Sequence, residues 1–147
     1  MSHTPTYIVA DELAKLVRDP AQVPGRDYIV IDVRDTDYVG GHIPGADNVP
    51  AHTLLERAEG IIDQYQRVPL VVFHCALSQV RGPKAAKKYL RAVDQRLETA
   101  AQDSPLHKQQ VKILMGGFNS WYARYAHAEP ELVEGFDQKL WYGQARD

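Results

Sequence analysis

With 147 residues, the chain has room for one hydrophobic core of ordinary size and not for two independently folded domains. Its 44% hydrophobic and 24% charged residues are typical of a soluble globular protein, and a net charge of −2 excludes nucleic acid as the default partner. Residues 1–11 lack a charged segment followed by an apolar run, and no stretch of about 18 apolar residues occurs, so neither secretion nor membrane spanning is expected.

The lone Cys75 has no internal disulfide partner, which fits a reducing compartment: the cytoplasm, with the nucleus as the alternative. One Cys and six scattered His show no paired-ligand spacing, so no metal or other cofactor is expected.

Along the chain, Leu13, Leu16 and Val17 recur at helical spacing behind early acids and predict a short helix over residues 9–17. After the breakers Asp19-Pro20 and Pro24-Gly25, residues 28–33 form a continuous β-branched apolar run, the pattern of a strand buried on both faces, with Asp32 at its polar end. Residues 40–50 are dense in turn formers and predict a loop holding one short strand. Leu54, Leu55, Ala58, Ile61, Ile62 and Tyr65 then mark a second helix, and residues 69–74 a second buried strand.

A third helix is predicted over residues 83–97, with Ala86, Tyr89, Leu90 and Val93 on its apolar side and Pro83 in its first turn. Residues 99–110 are polar and read as a surface connection. Residues 111–115 predict another strand, which Gly116-Gly117 turns into a helix through Phe118, Trp121, Tyr122 and Tyr125. Strands alternating with helices imply a central parallel sheet with helices on both faces. The expected organisation is one α/β domain over residues 1–147, with its core over about 8–125. The tail, residues 126–147, holds Leu140, Trp141 and Tyr142 and is expected to pack loosely on that core.

The chemistry concentrates where Cys75 directly follows a buried strand and Arg81 stands six positions later at the start of a helix. A loop leaving a parallel strand and curling into a helix N-terminus directs backbone N–H groups inward, and with the helix dipole it makes an anion site. The same field favours thiolate over thiol, which lowers the pKa expected of a cysteine there and makes it a nucleophile near neutral pH. Arg81 closes the loop, and its planar guanidinium suits two oxygens of a phosphate or arsenate at once. Ala76, Leu77, Ser78, Gln79, Val80 and Arg81 are the expected substrate-binding residues, with Cys75 and Arg81 catalytic. The Ser78 hydroxyl is a candidate either to stabilise the thiolate or to brace the loop. Read as an inert buried cysteine, Cys75 would need neither the arginine at this spacing nor the Gly82-Pro83 that follows.

These residues resemble the His-Cys-x5-Arg signature of cysteine-dependent phosphatases, set inside what looks like a rhodanese domain. Ile31-Asp32-Val33-Arg34-Asp35 with Gly41-His42-Ile43-Pro44-Gly45-Ala46 resembles the first rhodanese signature, and Leu114-Met115-Gly116-Gly117-Phe118 with Trp121 resembles the closing one. The resemblance covers roughly residues 8–125 and implies a rhodanese-like fold. Thiosulfate sulfurtransferases of that superfamily have a loop one residue shorter. The longer loop here is similar to those of the dual-specificity cell-cycle phosphatases and the yeast-type arsenate reductases, and the whole string from His74 to Pro83 is most similar to small single-domain fungal phosphatases. The cell-cycle phosphatases carry carboxylates inside the loop, whereas this loop has Ala76 and Val80 and no acid.

The leading expectation is therefore hydrolysis of phosphate monoesters, of protein-tyrosine or dual-specificity type, through a cysteinyl-phosphate intermediate. The alternative is arsenate reduction on the same loop, which with one cysteine needs glutathione or glutaredoxin as partner. Sulfurtransfer and a non-catalytic binding module rank below both. Asp35 and Asp37, after the first strand, are candidates to protonate a leaving group, while Asp32, Arg34 and Asp35 equally suit a structural ion-pair and capping network. His42 reads as a hydrogen-bonded structural histidine, and His74 as a residue that orients the loop.

Overall fold

The computed structural model describes residues 4–137, and the expected packing of Leu140, Trp141 and Tyr142 lies outside them. Five strands form one wholly parallel sheet in the order β1-β5-β4-β2-β3: β1 Thr6–Ile8, β2 Ile29–Asp32, β3 Asp47–Asn48, β4 Leu70–His74 and β5 Gln110–Leu114. Among the described residues, α1 Ala10–Arg18, α2 Leu54–Tyr65 and α3 Arg81–Leu97 connect strands, and α4 Gly117–Tyr125 follows β5. None of the described helices is long and apolar enough to cross a membrane.

The continuous apolar runs of β2 and β4 are explained by their central position. Alternate side chains enter two different cores. Ile29 and Ile31 of β2 and Val71 and Phe73 of β4 pack with α2 and α3, through Leu54, Ala58, Ile62, Ala86 and Tyr89. Val30 and Val72 point the other way, into a core of Leu13, Ala14, Phe118, Trp121 and Tyr125 from α1 and α4. On that second face Asp11 accepts from the Tyr125 hydroxyl at 2.6 Å and from Arg124 at 2.7 Å, which ties α1 to α4.

The sequence pattern misses β1. It is three residues long, exposed at Thr6 and Tyr7, and pairs only with β5 at the sheet edge, so no periodicity marks it. Helix α3 begins at Arg81 rather than Pro83. Pro83 still lies in the first turn, where no N–H is required of it. The segment after α4 packs more firmly than expected: Leu132 and Val133 are buried, and the Trp121 indole N–H donates to the Leu132 carbonyl at 2.8 Å.

The chain passes from β2 outward to β3, then returns past β2 to β4 and on to β5. The direction of winding therefore reverses between β2 and β4. In an open parallel sheet the crevice at the carboxyl ends of such a pair is where ligands bind. Cys75 follows β4 at that point, and Asp32, Arg34 and Asp37 end or follow β2.

Candidate active site

Between the last residue of β4 and the first of α3, residues 75–80 turn back on themselves around the Cys75 sulfur. The backbone N–H groups of Ser78 and Gly82 each donate to Cys75 Sγ, both at 3.2 Å. Two donors aimed at a sulfur at a helix N-terminus favour the thiolate over the thiol. Ser78 reaches this position with φ +56°, an unusual conformation for a non-glycine residue that costs on the order of 1 kcal/mol. Gly82 must be small: a Cβ there would stand 3.3 Å from the Cys75 nitrogen and 3.4 Å from its sulfur. Cys75 is 0% exposed, so a substrate reaches the sulfur only when side chains around the loop shift.

The loop is anchored from behind. The Cys75 carbonyl accepts from the Phe118 N–H at 2.9 Å and lies 3.0 Å from His74 Nδ1, while the Ala76 carbonyl accepts from the Asn119 N–H at 2.9 Å. The first turn of α4 thus takes the carbonyls and leaves the following amides to face the sulfur. Gly117 makes this possible. It has φ +60°, and a Cβ on it would fall 2.5 Å from the Ala76 oxygen and 2.6 Å from that of Cys75. Gly117→Ala is expected to destabilise the protein by about 3 kcal/mol, combining left-handed strain with a backbone clash. A thermal melt lowered by roughly 10 °C, with loss of activity, checks this. A change of less than about 2 °C would show that α4 does not buttress the loop.

Arg81 does not stand alone. Its Nη2 donates to Asp37 Oδ2 at 2.8 Å and its Nη1 to Oδ1 at 3.2 Å, across 44 positions of sequence. Burial pushes the Asp37 carboxyl up, but the Arg81 hydrogen bond, the Asp35 N–H and the Arg81 and Arg34 charges outweigh it and hold the carboxyl below its ordinary range. Asp37 is thus ionised at neutral pH and already paired with Arg81. Asp35 turns the opposite way, 58% exposed, with His52 Nδ1 at 3.9 Å. It takes no part in the Asp32–Arg34 ion pair, the structural alternative its position equally suited, and instead precedes the turn Thr36–Tyr38. Nothing in the spacing of the chain separates Asp35 from Asp37. The short helical turn Thr36–Tyr38, which Asp35 precedes and Asp37 lies within, decides which one faces inward.

Asp32 and Arg34 form the core of the support, both fully buried. Arg34 grips both Asp32 oxygens, donates to the Asp37 carbonyl at 3.0 Å and the Gly41 carbonyl at 2.8 Å, and lies 4.1 Å over the Phe118 ring. Such a pair orders its surroundings more than it stabilises them, and losing one partner would strand a buried charge. His74 stacks on Phe118 with ring centroids 6.3 Å apart, and its Nε2 lies 3.5 Å from Asp32 Oδ2. Burial lowers its pKa below the usual histidine range despite Asp32, so it is neutral at pH 7 and braces the Cys75 carbonyl rather than carrying protons. His42 has the structural place expected of it. Its Nε2 is 3.0 Å from Glu134 Oε1, and its ring stacks on Tyr38 at 4.8 Å.

Within the loop, Ala76 and Ser78 are buried, Leu77 and Arg81 half-buried, and Gln79 and Val80 exposed. Cys75, the loop amides and Arg81 therefore come together as the spacing implied. The residues missed are Asp37 as the partner of Arg81 and Gly117 as the floor under Cys75.

The chain as a whole is similar to several known proteins. The dual specificity phosphatase ibp1 of Schizosaccharomyces pombe is 33% identical over 140 residues, covering 89% of this chain and 97% of its own. Arsenate reductase 2.2 of Oryza sativa subsp. japonica is 33% identical over 122 residues, covering 82% and 85%. Among solved structures, a yeast protein tyrosine phosphatase of the Rhodanese family superposes with a TM-score of 0.70 at 25% identity, over 96% of this chain and 99% of that one. The family described as Rhodanese-like domain matches residues 9–124. The chain belongs to the rhodanese-like domain family.

Proposed function

We propose that this protein is a cysteine-dependent phosphatase that hydrolyses phosphate monoesters, of protein-tyrosine or dual-specificity type. The observation that carries the reading is the pair of N–H groups, from Ser78 and Gly82, held on Cys75 Sγ at the start of α3 with Arg81 at the same helix end. In the first step the thiolate attacks phosphorus and the ester P–O bond breaks. Arg81 and the loop amides take up the charge on the equatorial oxygens. Water then attacks the cysteinyl phosphate, the P–S bond breaks, and thiolate and inorganic phosphate are released. The loop offers no carboxylate, Asp37 is paired and His74 is buried and neutral, so the leaving-group proton comes from substrate or solvent. The chemistry requires a reduced thiol, as in the cytoplasm or nucleus.

A second reading, favoured by the rice relative, is arsenate reduction on the same loop. Cys75 would displace hydroxide from arsenate. Glutathione would then attack the sulfur and leave the S–As electrons on arsenic, giving arsenite and a mixed disulfide for glutaredoxin to reduce. Parallel assays on an aryl phosphate without thiols, on arsenate with glutathione and glutaredoxin, and on thiosulfate decide between the readings. Thiol-independent release of phosphate and phenol in equal amounts is expected. Turnover confined to arsenate, or to thiosulfate, would overturn the phosphatase reading.

A further inference from the structure

One partner of Arg81 is a carboxylate, presented in the way a substrate would present itself. Two Asp37 oxygens face the two terminal nitrogens of the guanidinium, the same two-point geometry that arginine makes with phosphate. The pair faces into the protein, with the Asp37 side chain 1% exposed and that of Arg81 20%. Asp37 is itself held from behind. The Asp35 N–H donates to Oδ1 at 2.9 Å, and the Asp37 carbonyl accepts from Arg34, whose other donors are locked on Asp32 and Gly41. A chain of buried groups thus runs from β2 to the guanidinium at the start of α3. Arg34 is the second cation acting on Asp37.

We propose that Asp37 is a positioning residue whose carboxylate competes with the oxyanion for Arg81: it holds the guanidinium in place between turnovers and keeps the affinity for free phosphate low. Its part in turnover rests on the phosphatase reading above, whereas its effect on anion binding does not. Without the Asp37 carboxylate, an arginine beside a thiolate and the Ser78 and Gly82 amides would hold inorganic phosphate more tightly and retard product release. With Asp37 opposite, the departing phosphate is replaced by a carboxylate already in position.

The test uses the full chain and the variants Asp37→Asn and Asp37→Glu. Protection of Cys75 from iodoacetamide by inorganic phosphate reads anion affinity without turnover, and ratios within each variant cancel the burial of the thiol. Aryl phosphate kinetics read kcat, KM and product inhibition. Asp37→Asn removes the competing charge and is expected to be protected at phosphate concentrations about tenfold lower than the parent, with tighter product inhibition, lower KM and kcat reduced about tenfold. Asp37→Glu keeps the charge and should be protected within about threefold of the parent. Anion affinity that is unchanged or weaker in a folded Asp37→Asn protein would overturn the proposal, because a merely structural aspartate lowers binding and turnover together. Should Asp37→Asn fail to fold, nitrogen NMR of the parent decides. Hindered, separately resolved Arg81 Nη signals that change on adding phosphate support the proposal, and a freely rotating guanidinium overturns it. A parent inactive on aryl phosphates defeats the phosphatase reading alone, while the protection experiment still judges Asp37.

Discussion

Cys75→Ser is expected to lose at least about 10⁴-fold in turnover of an aryl phosphate while keeping its fold and its affinity for phosphate. The serine hydroxyl still offers an oxygen to the Ser78 and Gly82 N–H groups, so the loop keeps a hydrogen-bond acceptor at its centre. What disappears is nucleophilicity. Two amide donors favour a thiolate near neutral pH, but they cannot ionise an alcohol whose proton no neighbouring base takes, since His74 is turned to the Cys75 carbonyl. The proposed anion site is made of backbone amides and Arg81 and does not depend on sulfur. Steady-state rates, phosphate binding by calorimetry and a thermal melt within a few degrees of the parent are the measurements. Parent-like activity in the serine variant would remove Cys75 from the mechanism.

Arg81→Lys is expected to cost on the order of 10²-fold in turnover, comparable with removing one preorganised oxyanion donor. An ammonium keeps the charge but not the planar fork, so it loses the two-point contact with equatorial oxygens and with Asp37 together. The substitution is also expected to cost about 1–2 kcal/mol of stability, because buried Asp37 is left with a single donor from this side. That contribution has a pH signature. Asp37 titrates lower in the folded protein than in the unfolded chain, so the pair's stabilisation is complete above the ordinary carboxylate range and is lost as the pH falls below it, through the depressed folded value. The difference in melting temperature between parent and Arg81→Lys should therefore shrink in acid. Turnover within about twofold of the parent would reject Arg81 as the clamp on the transition state.

Local chemistry and periodicity by themselves determined much of this protein. The apolar runs of β2 and β4 are dictated by burial on both faces, and the helical spacing in α2 and α3 by burial on one. The proposed anion loop was legible because cysteine, amides, arginine and helix start are contiguous, and a strand-to-helix turn of that length has few ways to fold. Strand β1 was not, because three residues at an edge are held by β5 rather than by any pattern of their own. Only the tertiary structure chose Asp37 over Asp35. Adjacent parallel strands bring the turn after β2 against the start of α3, and the twist of Thr36–Tyr38 sends one carboxylate to Arg81 and the other to solvent. Only it set Gly117 beneath the carbonyls of Cys75 and Ala76, a contact between β4 and β5 neighbours far apart in the chain. Pairings between distant segments arise from strand order, and strand order is settled by packing the whole core at once.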